Sequence, residues 1–196
     1  MRQFKTESRL NKIRNVVSAR QFDLEVVLEE VHDPHNVSAI LRTCDAVGVQ
    51  NVSLIYNVNK FPRISRVSSA SAKKWVDVFH FDSIEKCYNK YHEDGYKIFA
   101  TTLNSNSISI YEADFTEKSA IVLGNEHFGV TTIATEKADE TIYIPMKGMI
   151  QSLNVSVAAA VVLYEALRQR TLKNMYENSG VAQMRIEEII DLWCDK

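Results

Sequence analysis

Short apolar runs dense in β-branched residues alternate along this chain with stretches of helical periodicity, and that alternation constrains the fold more than any other feature. Residues 24–28, 52–56, 75–79, 96–101, 120–123 and 141–144 read as strands. Residues 4–19, 34–48, 82–93, 132–137, 153–169 and 181–194 read as helices. The helix over 34–48 has its own punctuation: Asp33 as N-cap, Pro34 at the first helical position and Gly48 as the stop. Strands alternating with helices build βαβ units, so the predicted fold class is α/β, a parallel sheet with helices on both faces. In such sheets ligands bind outside the carboxyl ends of the strands.

The scarce turn formers point to where. Of six glycines, Gly124, Gly129 and Gly148 fall in two loops that follow strands, and Pro145 lies in the second of them. That concentration predicts one site built by close backbone approach. The second loop ends in Ser152-Leu153-Asn154, which opens the long Val/Ala-rich helix. A polar mouth on an apolar helix presents free backbone N–H groups to whatever lies before it, although a simple capped core helix has the same appearance.

Composition removes several classes. With 45% apolar and 24% charged residues, the 196-residue chain reads as one ordinary globular domain. No apolar run approaches a membrane span, and residues 1–17 lack the apolar core of a signal peptide. Cys44, Cys87 and Cys194 are odd in number and widely spaced, which predicts a reduced, cytoplasmic protein without disulfides. His32 and His35 have no third ligand in view, so no metal site is expected. The chain has no GxGxxG after its first strand, no GxxxxGK[ST] and no GxSxG.

The net charge of −2 is unevenly spread. Residues 1–20 carry Arg2, Lys5, Arg9, Lys12, Arg14 and Arg20 against Glu7 alone, and residues 60–74 carry Lys60, Arg63, Arg66, Lys73 and Lys74 with no acid. Such patches are either solvated surface or local grips for phosphate.

Three blocks remain: EEVHDPHNVSAILRTCDAVG (29–48), IVLGNEHFGV (121–130) and IPMKGMIQSLNVSVAAA (144–160). In this order and spacing they resemble the three motifs of the SpoU/TrmH family of S-adenosylmethionine-dependent RNA ribose 2′-O-methyltransferases, and the resemblance covers nearly the whole chain. It implies a deep C-terminal trefoil knot, which strand order alone would never suggest, and a homodimer. It divides the chain into a basic helical extension (1–20), a methyltransferase domain (21–170) and a C-terminal helical extension (171–196). It carries catalytic roles to Asn36, Arg42, Glu126, Ser152 and Asn154. It carries S-adenosylmethionine contacts to Thr101, Leu123, Gly124, Ile144, Met146 and Leu153. The His127-Phe128 pair departs from the family pattern, in which a smaller residue commonly follows the glutamate.

The expected substrate is tRNA, held through Arg9, Arg14, Arg63 and Arg66, with the D-loop guanosine 18 as target. Helices flanking the core favour this over the wobble nucleotide or ribosomal RNA. An RNA-binding protein on a decayed methyltransferase scaffold is the non-enzymatic alternative, disfavoured because every motif side chain is present. The residues agree independently at one point. Val37, Ile40, Leu41, Cys44 and Val47 form one apolar stripe, which puts Arg42 on the polar face of its helix. A guanidinium does not deprotonate in a protein. The resemblance gives Arg42 the part of general base, which that chemistry strains; two less strained roles are holding a phosphate while stabilising alkoxide charge, and tuning an RNA phosphate that accepts the proton.

Overall fold

The computed structural model describes residues 2–57, 72–177 and 179–196. The sheet contains strands β1 (Gln21–Glu29), β2 (Val49–Ile55), β3 (Asp77–Phe81), β4 (Lys97–Thr101), β5 (Ile108–Ser109), β6 (Ser119–Leu123) and β7 (Glu140–Tyr143). Their order is β3-β2-β1-β6-β4-β7-β5, and every pairing is parallel. The helices are α1 (Glu7–Ser18), α2 (Pro34–Val47), α3 (Ile84–Glu93), α4 (Thr132–Lys137), α5 (Val155–Leu172) and α6 (Gln183–Asp195).

The strands sort their side chains by parity, as a pleated sheet must. Leu24, Val26 and Leu28 of β1, Phe99 of β4, and Ile121 and Leu123 of β6 face α2 and α5. Val27, Ile98, Ala100, Ala120 and Val122 face α3 and α4. Both faces are covered, which is why these strands read as continuous apolar runs. A third cluster sits apart, where Leu10, Ile13 and Val17 of α1 meet Ile186, Ile189, Ile190 and Trp193 of α6.

The α2 termini follow the sequence signals. Asp33 accepts a hydrogen bond from the His35 N–H, and Gly48 closes the helix at φ 86°. Two expectations need correction. The third strand covers 77–81, two residues beyond the predicted 75–79, because Trp75 leaves the sheet to stack on Trp193 (4.9 Å) beneath the Arg9 guanidinium. The two-residue edge strand β5 was not predicted, being too short to show a period.

Charge also distributes differently from the sequence count. Arg20 and Arg170 are fully buried. Arg20 pairs with Asp45, donates to the Val49 carbonyl and stacks over Trp193. Arg170 pairs with Asp23 and also donates to Gln21 and to the carbonyls of Phe115 and Glu117. Arg2 is held by Glu187 and Asp191 of α6. The N-terminal patch therefore presents Arg9, Lys12 and Arg14 to solvent, without Arg20.

Candidate active site

All strands point the same way, so the loops after β1, β4, β6 and β7 gather along one rim of the sheet. β1 lies between β2 and β6, where the chain first builds outward to β3 and then returns to the other side. That switch point is where a ligand crevice is expected in a parallel sheet. A cleft of about 700 Å³ opens beside it, a volume ordinary for a small-molecule site. Its walls include Thr101, Leu123, Gly124, Ile144, Met146 and Leu153, the side chains and loops the sequence assigned to a cofactor, together with Ile142, Val155 and Val162.

Three loops meet at the mouth through one chain of hydrogen bonds. Glu126, on the loop after β6, accepts from the His32 N–H (3.1 Å), the Asp33 N–H (3.0 Å) and the Asn36 side-chain amide (2.9 Å). The Asn36 carbonyl oxygen accepts from the Asn154 amide (3.1 Å). Asn154 in turn caps α5 by accepting from the Ser156 N–H (2.8 Å) and hydroxyl (2.6 Å). Each of the three sequence blocks thus contributes one member. Partial burial acts most strongly on the Glu126 carboxyl and raises its pKa, but the bonds from Asn36, His32 and Asp33 together hold it below the usual carboxylate range.

Arg42 stands outside this chain. It is exposed on α2, and its side chain makes no hydrogen bond or ion pair among the described residues. Six residues beyond Asn36, it lies roughly 9 Å further along the helix and about 120° around it. Ser152 is likewise exposed, just ahead of the cap. Arg9 and Arg14 are exposed on α1, whereas Arg63 and Arg66 lie outside the described residues.

Asn125, unassigned from sequence, holds the loop together. Its amide donates to the Glu30 carbonyl (2.8 Å) and faces His32 Nδ1 (2.9 Å), and its oxygen accepts from the N–H groups of His127 (2.8 Å) and Phe128 (3.2 Å). With both amide hydrogens used, His32 Nδ1 is the acceptor and its proton sits on Nε2. Asn125 and Gly129 also bond backbone to backbone in both directions. A Cβ on Gly124 would lie 2.1 Å from backbone atoms of Gly129 and Val130. The close approach foreseen from the glycines is therefore internal to this loop, and Gly148 faces open space. Glu29 fixes the far side of the loop, accepting from the Thr131 N–H (2.9 Å) and hydroxyl (2.6 Å) at the cap of α4. The sequence signal for Asn125 was its place between Gly124 and Glu126. Glu29 gave none, because its partner lies 102 positions away.

The profile of the SpoU rRNA Methylase family matches residues 23–164. The chain is 40% identical to the tRNA (guanosine(18)-2′-O)-methyltransferase of Thermus thermophilus, over 98% of either chain. It superposes on the crystal structure of the Aquifex aeolicus TrmH/SpoU tRNA modifying enzyme with a TM-score of 0.90 at 40% identity, over 96% of each chain. The SpoU methyltransferase AviRb of Streptomyces viridochromogenes, crystallised with AdoMet, matches at TM-score 0.66 and 25% identity over 78% of this chain and 59% of that one. A parallel sheet carrying three motif loops in one hydrogen-bonded chain, and these likenesses over its length, assign the chain to the SpoU rRNA methylase family.

Proposed function

We propose that this protein is an S-adenosylmethionine-dependent ribose 2′-O-methyltransferase that acts on tRNA at the D-loop guanosine 18. The observation that carries the reading is the hydrogen-bonded chain Glu126–Asn36–Asn154 at the mouth of the cleft, with a near full-length likeness to enzymes of that specificity. The donor set suits the cofactor: apolar walls for the adenosine, loop backbone for its polar edges, and six assigned residues on one cleft. When bound, S-adenosylmethionine supplies a methyl group activated on a sulfonium.

The chain's own residues then have the following roles. Thr101, Leu123, Gly124, Ile144, Met146 and Leu153 hold the cofactor. Glu126, Asn36 and Asn154 lock the three loops in one geometry, which is what an in-line displacement requires of its surroundings. Ser152, exposed beside them, offers a hydroxyl to the ribose. Arg42 supplies a fixed positive charge for the 2′-oxygen as its proton passes to a neighbouring RNA phosphate; a group that never deprotonates serves as a charge stabiliser rather than a base.

The same reading extends to the molecule's form. Residues 21–170 form the knotted catalytic domain, and 1–20 with 171–196 form a helical appendage in which α1 packs on α6. The appendage supports Arg9 and Arg14 for tRNA phosphates, assisted by Arg63 and Arg66. The protein works in the cytoplasm as a homodimer. Support for the dimer comes from α5, which is apolar around its circumference from Val157 to Tyr164. Ala159, Val162, Leu163 and Ala166 face the core, while Val157, Tyr164 and Leu172 are 48%, 53% and 70% exposed on the outside.

Labelled S-adenosylmethionine with unmodified tRNA, followed by mapping of the methylated nucleotide, tests the activity. Arg42→Ala should preserve the fold and cofactor affinity but slow single-turnover methylation by at least about 10²-fold. Near-parental turnover in that variant would remove Arg42 from the chemistry.

A further inference from the structure

Phe128 is 88% exposed on the loop after β6. One apolar side chain in water needs no explanation, but this one is displayed on a loop with no freedom to withdraw it. Its N–H is bound by Asn125, the loop ends are bonded to each other in both directions, and Gly124 leaves no room to repack. His127 stands edge-on to the ring, with centroids 6.3 Å apart. His32, exposed on the neighbouring loop, is bonded to the same Asn125. Two of the chain's five histidines, and the most exposed phenylalanine among the described residues, thus share the rim beside Glu126. A rigid, exposed aromatic ring with an imidazole edge-on to it suits a flat, polarisable partner.

A ribose hydroxyl within folded RNA becomes accessible when its nucleotide leaves the stack, and proteins that hold such nucleotides replace the lost stacking with aromatic side chains. Resting on the tRNA reading above, we propose that Phe128, steadied by His127, is the stacking platform for the base of the ribonucleotide being methylated.

Phe128→Ala, Phe128→Leu and Phe128→Tyr, assayed with unmodified tRNA transcript and labelled S-adenosylmethionine, test this. Loss of one base–aromatic stack is expected to raise the half-saturating tRNA concentration or lower single-turnover methylation by roughly 5- to 100-fold in the Ala variant. Tyr should restore most of it, Leu should not, and calorimetric affinity for the cofactor should match the parent in all three. Rescue by Leu would mean apolar bulk and overturn stacking. Because Phe128 lines the cleft assigned to the cofactor, a parallel loss of cofactor affinity would make the ring a wall of that pocket instead of a platform for the base, and a change of oligomeric state would place it at a subunit contact; either overturns the proposal. An active parent with an unimpaired Ala variant overturns it alone, whereas a parent inactive on tRNA takes the tRNA reading down with it.

Discussion

Glu126 accepts from three donors, the His32 and Asp33 backbone N–H groups on the loop after β1 and the Asn36 amide in the first turn of α2. Replacing it with Gln keeps one acceptor oxygen and turns the other into an amide facing a donor. Glu126→Gln should therefore cost about 1–3 kcal/mol of stability and reduce methylation, measured by denaturant unfolding and single turnover. The pH dependence has a defined sign. Because the folded carboxyl titrates below its ordinary 4.5, its contribution is complete above that value and is lost as pH falls through the folded pKa. The stability gap between parent and variant should be flat from neutral pH to about pH 5 and close only in more acidic solution. A gap that shrinks between pH 8 and 6 would show that another group governs the site. The cysteines carry a complementary expectation. Burial pushes the Cys44 and Cys87 thiols up to about 12, so neither should react with a thiol reagent while the protein is folded.

Among the elements, the loop 124–130 has the least tolerance. An alanine at 124 would force backbone apart where a Cβ has 2.1 Å of space. Gly124→Ala should lower stability by about 1–3 kcal/mol, whereas Gly148→Ala, in open space, should leave it nearly unchanged. Equal melting temperatures for the two would contradict the loop geometry described. This contrast also marks how far the sequence could be read. Both glycines followed strands and looked alike, because a one-dimensional pattern does not reveal which backbone a missing side chain makes way for. The helix termini were more legible: Asp33, Pro34 and Gly48 act on their own neighbours, and α2 starts and stops where they placed it. The centres of β1, β4 and β6 showed in the sequence because burial on both faces leaves them mostly apolar, whereas β7 is only partly buried and showed more weakly. Trp75 misled because its partner, Trp193, comes from α6 and not from the sheet. The motif residues were legible as types, while the bonds joining Glu126 to Asn36 and Asn36 to Asn154 span 90 and 118 positions and belong to the fold.

For the whole molecule, tRNA affinity must arise from a surface less positive than the sequence implied, because Arg20 is buried and Arg2 is neutralised by α6. Arg9→Ala with Arg14→Ala should shallow the dependence of log affinity on log salt by about 0.7–0.9 per lost phosphate contact, alike across different tRNAs and with cofactor binding intact. An unchanged slope would move the grip elsewhere. The 168–173 stretch offers little alternative, since Arg168 is paired with Glu165 and Arg170 is inside the protein. The proposed dimer is tested on α5: light scattering should show the parent as a dimer and Tyr164→Glu as a monomer, and a dimeric variant would take the interface away from that helix. The buried Arg170 has a further consequence, for the time course of folding. Its guanidinium finds its partners only when the end of α5, the start of β1 and the segment before β6 have come together, segments that lie 53 to 149 positions apart. Contacts that need three distant segments in place are expected to form after the rate-limiting barrier, where they would do little for the speed of folding and much for the lifetime of the folded state. Arg170 acts as a latch, and its strength should be read in the rate at which the finished molecule comes undone.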